Sequence, residues 1–471
     1  MSRTATTSVP LLALLGALCA TAQATPTSLP TTATQTQQNV RCSLAQCVAM
    51  AQRRSPFMAA AHADLERYRS LMSRAKASRF PRFEVTGFFA PLPEKRPGTS
   101  GSNWIKDWDW TSVSPLATAQ LSFTQVLWTF GKIDALRDAA KAGLDVGKAT
   151  TAVARMEVAY RVHQAWWGVV LARELSTIIA KGTDKLAKER VRLEALREKA
   201  EDEDKDFDET QLLRLKMAEA DLQGRVRQAK RAAALATDTL HAALNLPAQA
   251  KVTPTATQIA PVEVKLLPVA AYERLAVENH PKLLAMRQGA VARFHQLKYQ
   301  KRRMWPDLVL TGRLAYTYAP SVTTGDESLA DNPTNPTQSG AGLGLRWRLD
   351  VWNQLARIDT ARAEARKAKT LARAEELKVR VAVRDLVRQT RDAQAMVPIY
   401  ARAMRAARGW MRAEAEAKGF ADYRELLRAM EQYYRRKIAW LEGIYRFNVQ
   451  LAALSRAVGV DVTSVKLPSG K

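Results

Sequence analysis

Histidine, cysteine and glycine are scarce in this chain, and each scarcity removes a class of function. Five histidines, His62, His163, His241, His280 and His295, are spread over 471 residues. None falls in the HxxxH or HExxH spacing that puts two ligands on one helix face for zinc. Three cysteines, Cys19, Cys42 and Cys47, are too few for a disulfide framework or a thiolate metal site. The 21 glycines form neither a phosphate-cradling loop nor a Gly-x-Ser-x-Gly elbow. Carboxylates sit in helical stretches at charge-pairing spacings, the usual signature of a solvated face. This inventory predicts no catalytic residue, no metal and no cofactor: the chain is not an enzyme. Long apolar runs are missing too. No stretch reaches eighteen consecutive apolar residues, so no helix is expected to span a bilayer. Membrane insertion would have to use strands.

The N-terminus is what the chain does have. Arg3 precedes an apolar run from Val9 to Ala20, followed by Ala22-Gln23-Ala24. A charged start, a short apolar core and a small-residue site read as a signal peptide over residues 1–24. Lipidation at Cys19 is the minor variant, since Leu18 fits poorly before it. Cys42 and Cys47 then remain for an oxidising compartment. They can pair if Cys42 lies outside the helix that Ser43 caps, and cannot if both are helical; both readings stay open. The formal charge of +26 raises nucleic acid as a partner. The basic residues are spread through helical repeats without a basic block or motif, and a secreted chain does not meet nucleic acid.

The mature chain states one plan twice, about 215 to 225 residues apart. Each copy opens on a helix containing Ser55-Pro56 or His280-Pro281, then runs to Phe80-Pro81 or Trp305-Pro306. Two extended segments with a loop between them follow, then a very long helix, a break and a second helix. The first copy covers 25–246, with strands near 82–90 and 116–127 and helices near 43–78, 132–200 and 208–245. A linker follows over 247–267. The second copy covers 268–460, with strands near 307–319 and 342–351 and helices near 268–303, 354–417 and 420–457; a tail runs over 461–471. The fold class is mainly α with a small β part.

The extended segments alternate. Leu308, Leu310, Gly312, Leu314, Tyr316 and Tyr318 share one face, and Val309, Thr311, Arg313, Ala315 and Thr317 the other. Leu343, Leu345, Trp347 and Leu349 oppose Gly344, Arg346, Arg348 and Asp350. Period-two patterning of about ten residues suits tilted membrane strands. Four strands cannot close a barrel, for which about eight is the minimum. The barrel reading therefore demands several chains. Arg313, Arg346 and Arg348 oppose the apolar faces and are expected to point into the lumen, because an arginine facing lipid at mid-membrane costs about 2–4 kcal/mol. The long loops Pro91 to Ser114, with Trp104, Trp108 and Trp110, and Pro320 to Ala341 fit one end of such a barrel.

The helices carry small-residue seams. Leu136, Ala140, Leu144, Gly147, Thr151, Ala154, Val158, Val162, Ala165 and Val169 recur about every 3.7 residues, the near-straight regime. Leu222, Val226, Ala229, Ala233, Ala236, Leu240 and Ala243 recur at four and three, a coiled-coil spacing that allows close approach. A helix over 132–200 would be roughly 100 Å long.

On these residues the whole mature chain resembles the TolC-like outer-membrane efflux family. That family joins strand to helix through a Gln/Trp-Pro-Leu-Phe-Asp-Gly-Gly-Arg kind of sequence. Here the first junction is Gln125-Val126-Leu127-Trp128-Thr129-Phe130-Gly131-Lys132 and the second Trp347-Arg348-Leu349-Asp350-Val351-Trp352-Asn353-Gln354. Both depart from it by lacking the proline, replaced by Val126 and Arg348. The resemblance implies a homotrimer in the Gram-negative outer membrane: a twelve-stranded barrel on a helical cylinder in the periplasm. It implies a periplasmic adaptor and an inner-membrane pump as partners, in efflux or type I secretion. The tip turns fall on Gly419-Phe420 and on Asp206-Phe207, the latter in an acidic run without the family's glycine. The family's aperture acids map first onto Glu425 and next onto Arg428, a departure; with Asp422 these are the expected pore-aperture residues. An ordinary i, i+3 surface pair between Glu425 and Arg428 stays open beside that reading. The alternative function is a secreted periplasmic or surface coiled-coil protein without a channel.

Overall fold

The computed structural model describes residues 39–95, 108–202, 209–247, 250–318, 337–416 and 423–464. Each half begins with a short helix pair. In the first, β1 (Asn39–Cys42) leads to α1 (Leu44–Arg54) and α2 (Pro56–Ala77). Ser43 caps α1 by accepting from Gln46 N while Gln46 returns a contact to the Ser43 backbone, a capping box. Ser55, in extended backbone before Pro56, separates the two helices. In the second half, α5 (Val269–Asn279) and α6 (Pro281–Arg302) are separated in the same way at His280-Pro281. The single opening helices expected over 43–78 and 268–303 are therefore two each. The proline suits the first position of a helix and disfavours a helical residue before it, and here Ser55 and His280 are extended.

The strands β2 (Arg82–Lys95) and β3 (Trp108–Trp128) follow α2, and β5 (Asp307–Tyr318) and β6 (Thr337–Arg346) follow α6. They make one antiparallel sheet in the order β2-β3-β5-β6. Trp347 to Asp350 is irregular. This corrects the last strand, expected over 342–351, and leaves Arg348 beyond it.

The long helices are α3 (Lys132–Asp202), α4 (Glu209–Leu244), α7 (Val351–Glu416) and α8 (Tyr423–Val458). With 71 residues, α3 extends about 105 Å. It packs against α1, α2, α4, α6 and α8, and α7 packs mainly on α6 and α8. Small residues let the axes approach: a Cβ on Gly147 would come within 2.6 Å of the Tyr68 ring on α2.

Two apolar clusters, one per half, hold the middle of the bundle. In the first, Cys47 and Ala51 of α1 meet Val162 and Val170 of α3 and Leu240 and Leu244 of α4. In the second, Tyr272 and Ala276 of α5 meet Val383 and Val387 of α7 and Leu454 and Val458 of α8. The α8 chain ends at Gly459 with φ +86°, where a Cβ would meet the Asn279 carbonyl oxygen at 2.4 Å. Only glycine fits that end against α5.

The linker is a belt. Its strand β4 (Lys251–Pro254) pairs in parallel with β1, Asn39 opposite Lys251 and Cys42 opposite Pro254. Cys42 and Cys47 form a disulfide, with Cα atoms 5.9 Å apart, because Cys42 ends β1 outside the helix capped by Ser43. Further along, Asn448 of α8 accepts from Val262 N at 3.0 Å and donates to Ala260 O at 2.9 Å. Arg391 and Gln394 of α7 donate to Leu267 O and Val264 O.

Ion pairs stitch the same level. Arg384 of α7 donates through two nitrogens to the nearly buried Glu273 of α5, holding its carboxyl below the usual range. Hydrogen bonds from Arg380 and then Arg287 do the same for Glu376. His163 and His280 are pushed down by burial and stay neutral. A depressed carboxylate stabilises the fold above its ordinary value of 4.5, and that stability is lost as pH falls through the folded value. A histidine buried neutral destabilises as pH falls below 6.5, because only the unfolded chain takes the proton readily. The thermal midpoint of the helical signal should therefore fall from about pH 6.5 downward and more steeply below about pH 4.5. Glu273→Gln should lower the midpoint at pH 7 and flatten the acid limb alone, as circular dichroism melts would read.

Candidate functional site: a two-faced sheet, an aromatic seam and a helical tip

The strand register sorts the sheet into two chemistries. Paired residues share a face, and the pairings Val85 with Leu121, Leu121 with Leu314 and Leu310 with Leu343 carry one face across all four strands. This face holds Phe83, Val85 and Phe89 of β2, Leu121 of β3, Leu314, Tyr316 and Tyr318 of β5, and Leu343 and Leu345 of β6. All nine are exposed, Val85 to 76% and Leu343 to 70%. Water around so much apolar surface is costly at roughly 25 cal/mol per Å². A patch of this kind marks a surface that meets something apolar.

The opposite face is mostly polar, with Phe88, Val309 and Ala315 among its apolar members. It carries Thr86, Glu84 and Arg82 of β2, Gln120, Ser122 and Thr124 of β3, Thr311 and Arg313 of β5, and Gln338 and Arg346 of β6. Arg313 sits between Ser122 and Gly340, with no ion pair among the described residues. Arg346 lies opposite Asp307, its guanidinium 3.9 Å from that carboxylate, so part of its charge is offset. Arg348, expected on the same face, follows the end of β6 and is exposed. The sequence reading missed Arg82, Glu84 and Asp307, which share the polar face. The period-two pattern contained them, but only the register joins strands from different halves.

Below the sheet, aromatic residues collect where strands become helices. Phe80, Trp128, Phe130, Trp305, Trp347 and Trp352 are all exposed, Trp352 to 85%. Phe130 stacks on Trp305 with ring centres 5.8 Å apart, and Trp128 meets Phe130 edge-on at 6.2 Å. Rings at the boundary between an apolar band and water are the girdle that membrane barrels carry. The sequence reading looked for this girdle among the loop tryptophans, of which Trp104 lies outside the described residues. The lower girdle was legible as an aromatic at every strand–helix junction.

The junction is rigid. The chain turns with Phe130 at φ +50° and Gly131 at φ +77°. Arg302, ending α6, donates to Gly131 O at 2.7 Å. Lys132 donates to Trp305 O at 2.6 Å and pairs with Asp307 at 2.8 Å, both partners largely buried. Gln125 donates to Arg79 O and Trp347 to Met304 O, each at 2.8 Å. Each strand-to-helix turn is thus pinned to a helix-to-strand turn, and the sheet cannot tilt freely on the helices.

At the far end, α3 stops at Asp202 and α4 begins at Glu209; α7 stops at Glu416 and α8 begins at Tyr423. Asp206, Phe207, Gly419, Phe420 and Asp422 lie outside the described residues. Glu425 accepts from Arg428 at 2.6 Å, with both side chains partly or largely exposed. Within one chain these two form the i, i+3 pair. Among the described residues no group of histidine, cysteine or carboxylate side chains is arranged to hold a metal, and no helix is long and apolar enough to cross a membrane.

Known structures share this architecture. The outer-membrane channel OprN superposes with a TM-score of 0.72 at 17% identity, over 91% of this chain and 95% of its own. VceC, an outer membrane protein of Vibrio cholerae, gives 0.69 at 17% identity, over 88% and 96%. The open state of the MtrE outer membrane channel of Neisseria gonorrhoeae gives 0.70 at 14%, over 89% of each chain. No curated protein sequence matches significantly. The fold is thus that of outer-membrane channel proteins. Residues 274–460 match the family described as Outer membrane efflux protein, the kind of family that the sequence resembles.

Gly131→Ala tests the junction. A left-handed backbone costs a residue with a Cβ about 1–2 kcal/mol, and that Cβ would sit 2.5 Å from the Arg302 guanidinium. The thermal midpoint should drop, while Gly409→Ala on α7, where a Cβ meets nothing within 4 Å, should leave it level or raised.

Proposed function

We propose that this protein is the outer-membrane channel component of a tripartite efflux or type I secretion system, a passive export duct. The observation that carries this reading is the sheet. It has an exposed apolar face, a polar face and two unpaired edges, and it stands on helical hairpins about 100 Å long. A secreted coiled coil without a channel has no use for such a sheet.

Three copies close it. β2 and β6 run in opposite directions because the sheet is antiparallel with an even number of strands. Setting β6 of one copy against β2 of the next keeps the antiparallel order around a ring. Three four-stranded sheets give twelve strands and no edge. The helices support the same count of neighbours. Leu377 and Val381 on α7, and Leu213, Met217 and Leu235 on α4, are well exposed in one chain. These are apolar faces that an adjacent copy would cover. The apolar sheet face then meets lipid, the aromatic seam lies at the membrane boundary, and the helical part occupies the periplasm. A periplasmic adaptor and an inner-membrane pump supply coupling and energy, since the duct has no machinery of its own.

On this reading Arg313 and Arg346 line the lumen in rings. Purified protein should sediment in detergent as three chains and conduct in planar bilayers with anions favoured over cations. Arg313→Gln should remove most of that preference. Arg346→Gln, already offset by Asp307, and Arg348→Gln, beyond the strand, should remove less. A soluble monomer, or selectivity untouched in the triple variant, would sink this assignment.

Asp422, Glu425 and Arg428 are assigned to the periplasmic aperture, one turn above a tip formed by Gly419, Phe420, Asp206 and Phe207. Three Glu425 carboxylates converging on an axis repel unless paired. Arg428 supplies the partner, from its own chain at 2.6 Å or from the next. An exposed pair contributes about 0.2–1 kcal/mol, so three bias the closed state without locking it. Glu425→Lys should raise single-channel conductance, and the swap Glu425→Arg with Arg428→Glu should restore most of the parental value. Identical conductance in all three proteins would place the constriction elsewhere.

A further inference from the structure

Between α3, α4 and α8, one to several turns above the tip, the helices part around a cavity of about 460 Å³. This is within the size range of small-molecule sites. Gly182 on α3 and Ala218 on α4, both small, line it. A Cβ on Gly182 would stand at ordinary contact distance, 3.5 Å from Leu222 and 4.0 Å from Tyr434. The floor is dry: Ile178, Ile179 and Met430 are each less than a tenth exposed. Burial pushes the Tyr434 hydroxyl up, helped by Tyr433.

The rim is cationic. Arg214 and Arg225 of α4 and Arg428 and Arg435 of α8 stand around it, against Asp221 and Glu431. Arg435 is committed to Glu431, and Arg428 to Glu425, each at 2.6 Å. Arg214 and Arg225, about three turns apart on α4, have no ion pair among the described residues. A guanidinium held over an apolar hollow suits a carboxylate or sulfate, which it binds through two parallel hydrogen bonds.

We infer that this cavity binds a single-chain anionic amphiphile, its alkyl chain on Ile178, Ile179 and Met430 and its anionic head on Arg214 or on Arg225, which stand at the two ends of the cavity. A cationic amphiphile meets four guanidiniums and two carboxylates, and a bare anion leaves the floor uncovered. All its lining comes from one chain, and its Met217 also belongs to the α4 face that an adjacent copy would border on the proposed assembly.

The test uses the full chain in phosphatidylcholine nanodiscs, titrated with dansyl-labelled undecanoic acid against empty discs. The expected result is a saturable component, one site per chain, with blue-shifted emission. The methyl ester, which lacks the charge, and the variant Arg214→Gln with Arg225→Gln should each bind about ten-fold more weakly. Gly182→Leu fills the hollow and should abolish the saturable component without moving the circular dichroism spectrum. Should Gly182→Leu melt early, Ala218→Leu fills the same space from the other wall, and the exposed arginine pair is read regardless. No saturable component above empty discs, acid and ester binding alike, or a folded filled variant that binds as the parent does would each overturn the inference.

Discussion

A sheet of four strands with both edges open and one face apolar is the constraint from which the rest of this structure follows. Unpaired backbone groups at β2 and β6 cannot be buried in hydrocarbon, where each costs several kcal/mol. On the proposed reading they find partners in other copies. Because the strand number is even, identical copies can be joined head to tail without a parallel mismatch. Whatever closes the sheet also fixes how the helices below are arranged, since Lys132, Arg302 and Trp305 tie the strand ends to the helix ends. Sheet closure and helix packing are then one geometrical problem, solved at the junction.

The duplication solves that problem twice with different chemistry. Ala51 in the first cluster and Ala276 in the second occupy corresponding places, each four residues before Ser55 or His280, where the opening helices break. Around them the first half uses the Cys42–Cys47 disulfide and the β1–β4 ribbon, whereas the second uses Arg384 on Glu273. The first strand-to-helix turn needs two left-handed residues, Phe130 and Gly131; among the described residues the second turn, through Leu349 and Asp350, needs none. A repeat can therefore keep its backbone plan while each copy finds its own stabilising contacts.

Much of this was legible in the sequence, for reasons of periodicity. Leu308 to Tyr318 alternates strictly, and a half-buried strand is the only element with that period. The seam from Leu222 to Ala243 is the less exposed stripe of α4, as its spacing requires. What stayed hidden lacked a local signal. β1 and β4 are four residues each, pair across more than two hundred residues, and have no room to show a period. The β3 bulge at Leu127, between Val126 and Trp128, leaves the aromatic pattern intact and shifts only the register. The breaks at Ser55 and His280 carried their prolines in plain view, but a proline can kink a helix or end it, and only the extended backbone before it decides. The cavity needed three helices from both halves, which no single-chain pattern can assemble.

The surplus of positive charge has a place in the same geometry. α7 alone carries fifteen lysines and arginines against eight acids. Three of its acids reach out in ion pairs: Glu375 to Lys282, Glu364 to Arg293, and Glu376 to Arg287 and Arg380, all but the last of these cations lying on α6. This ladder welds α6 to α7 and leaves Arg402, Arg405, Arg408 and Arg412 exposed with no acid between Asp392 and Glu414. Bringing copies of one such helix around a common axis concentrates like charge, and screening over about 8 Å at physiological salt relieves it only in part. The repulsion must be met by apolar contact between copies, by carboxylates such as Glu425 and Glu431 near the tip, or by bound anions. In the proposed assembly that balance rests on small terms, and small terms are what a partner at the tip would need to overcome.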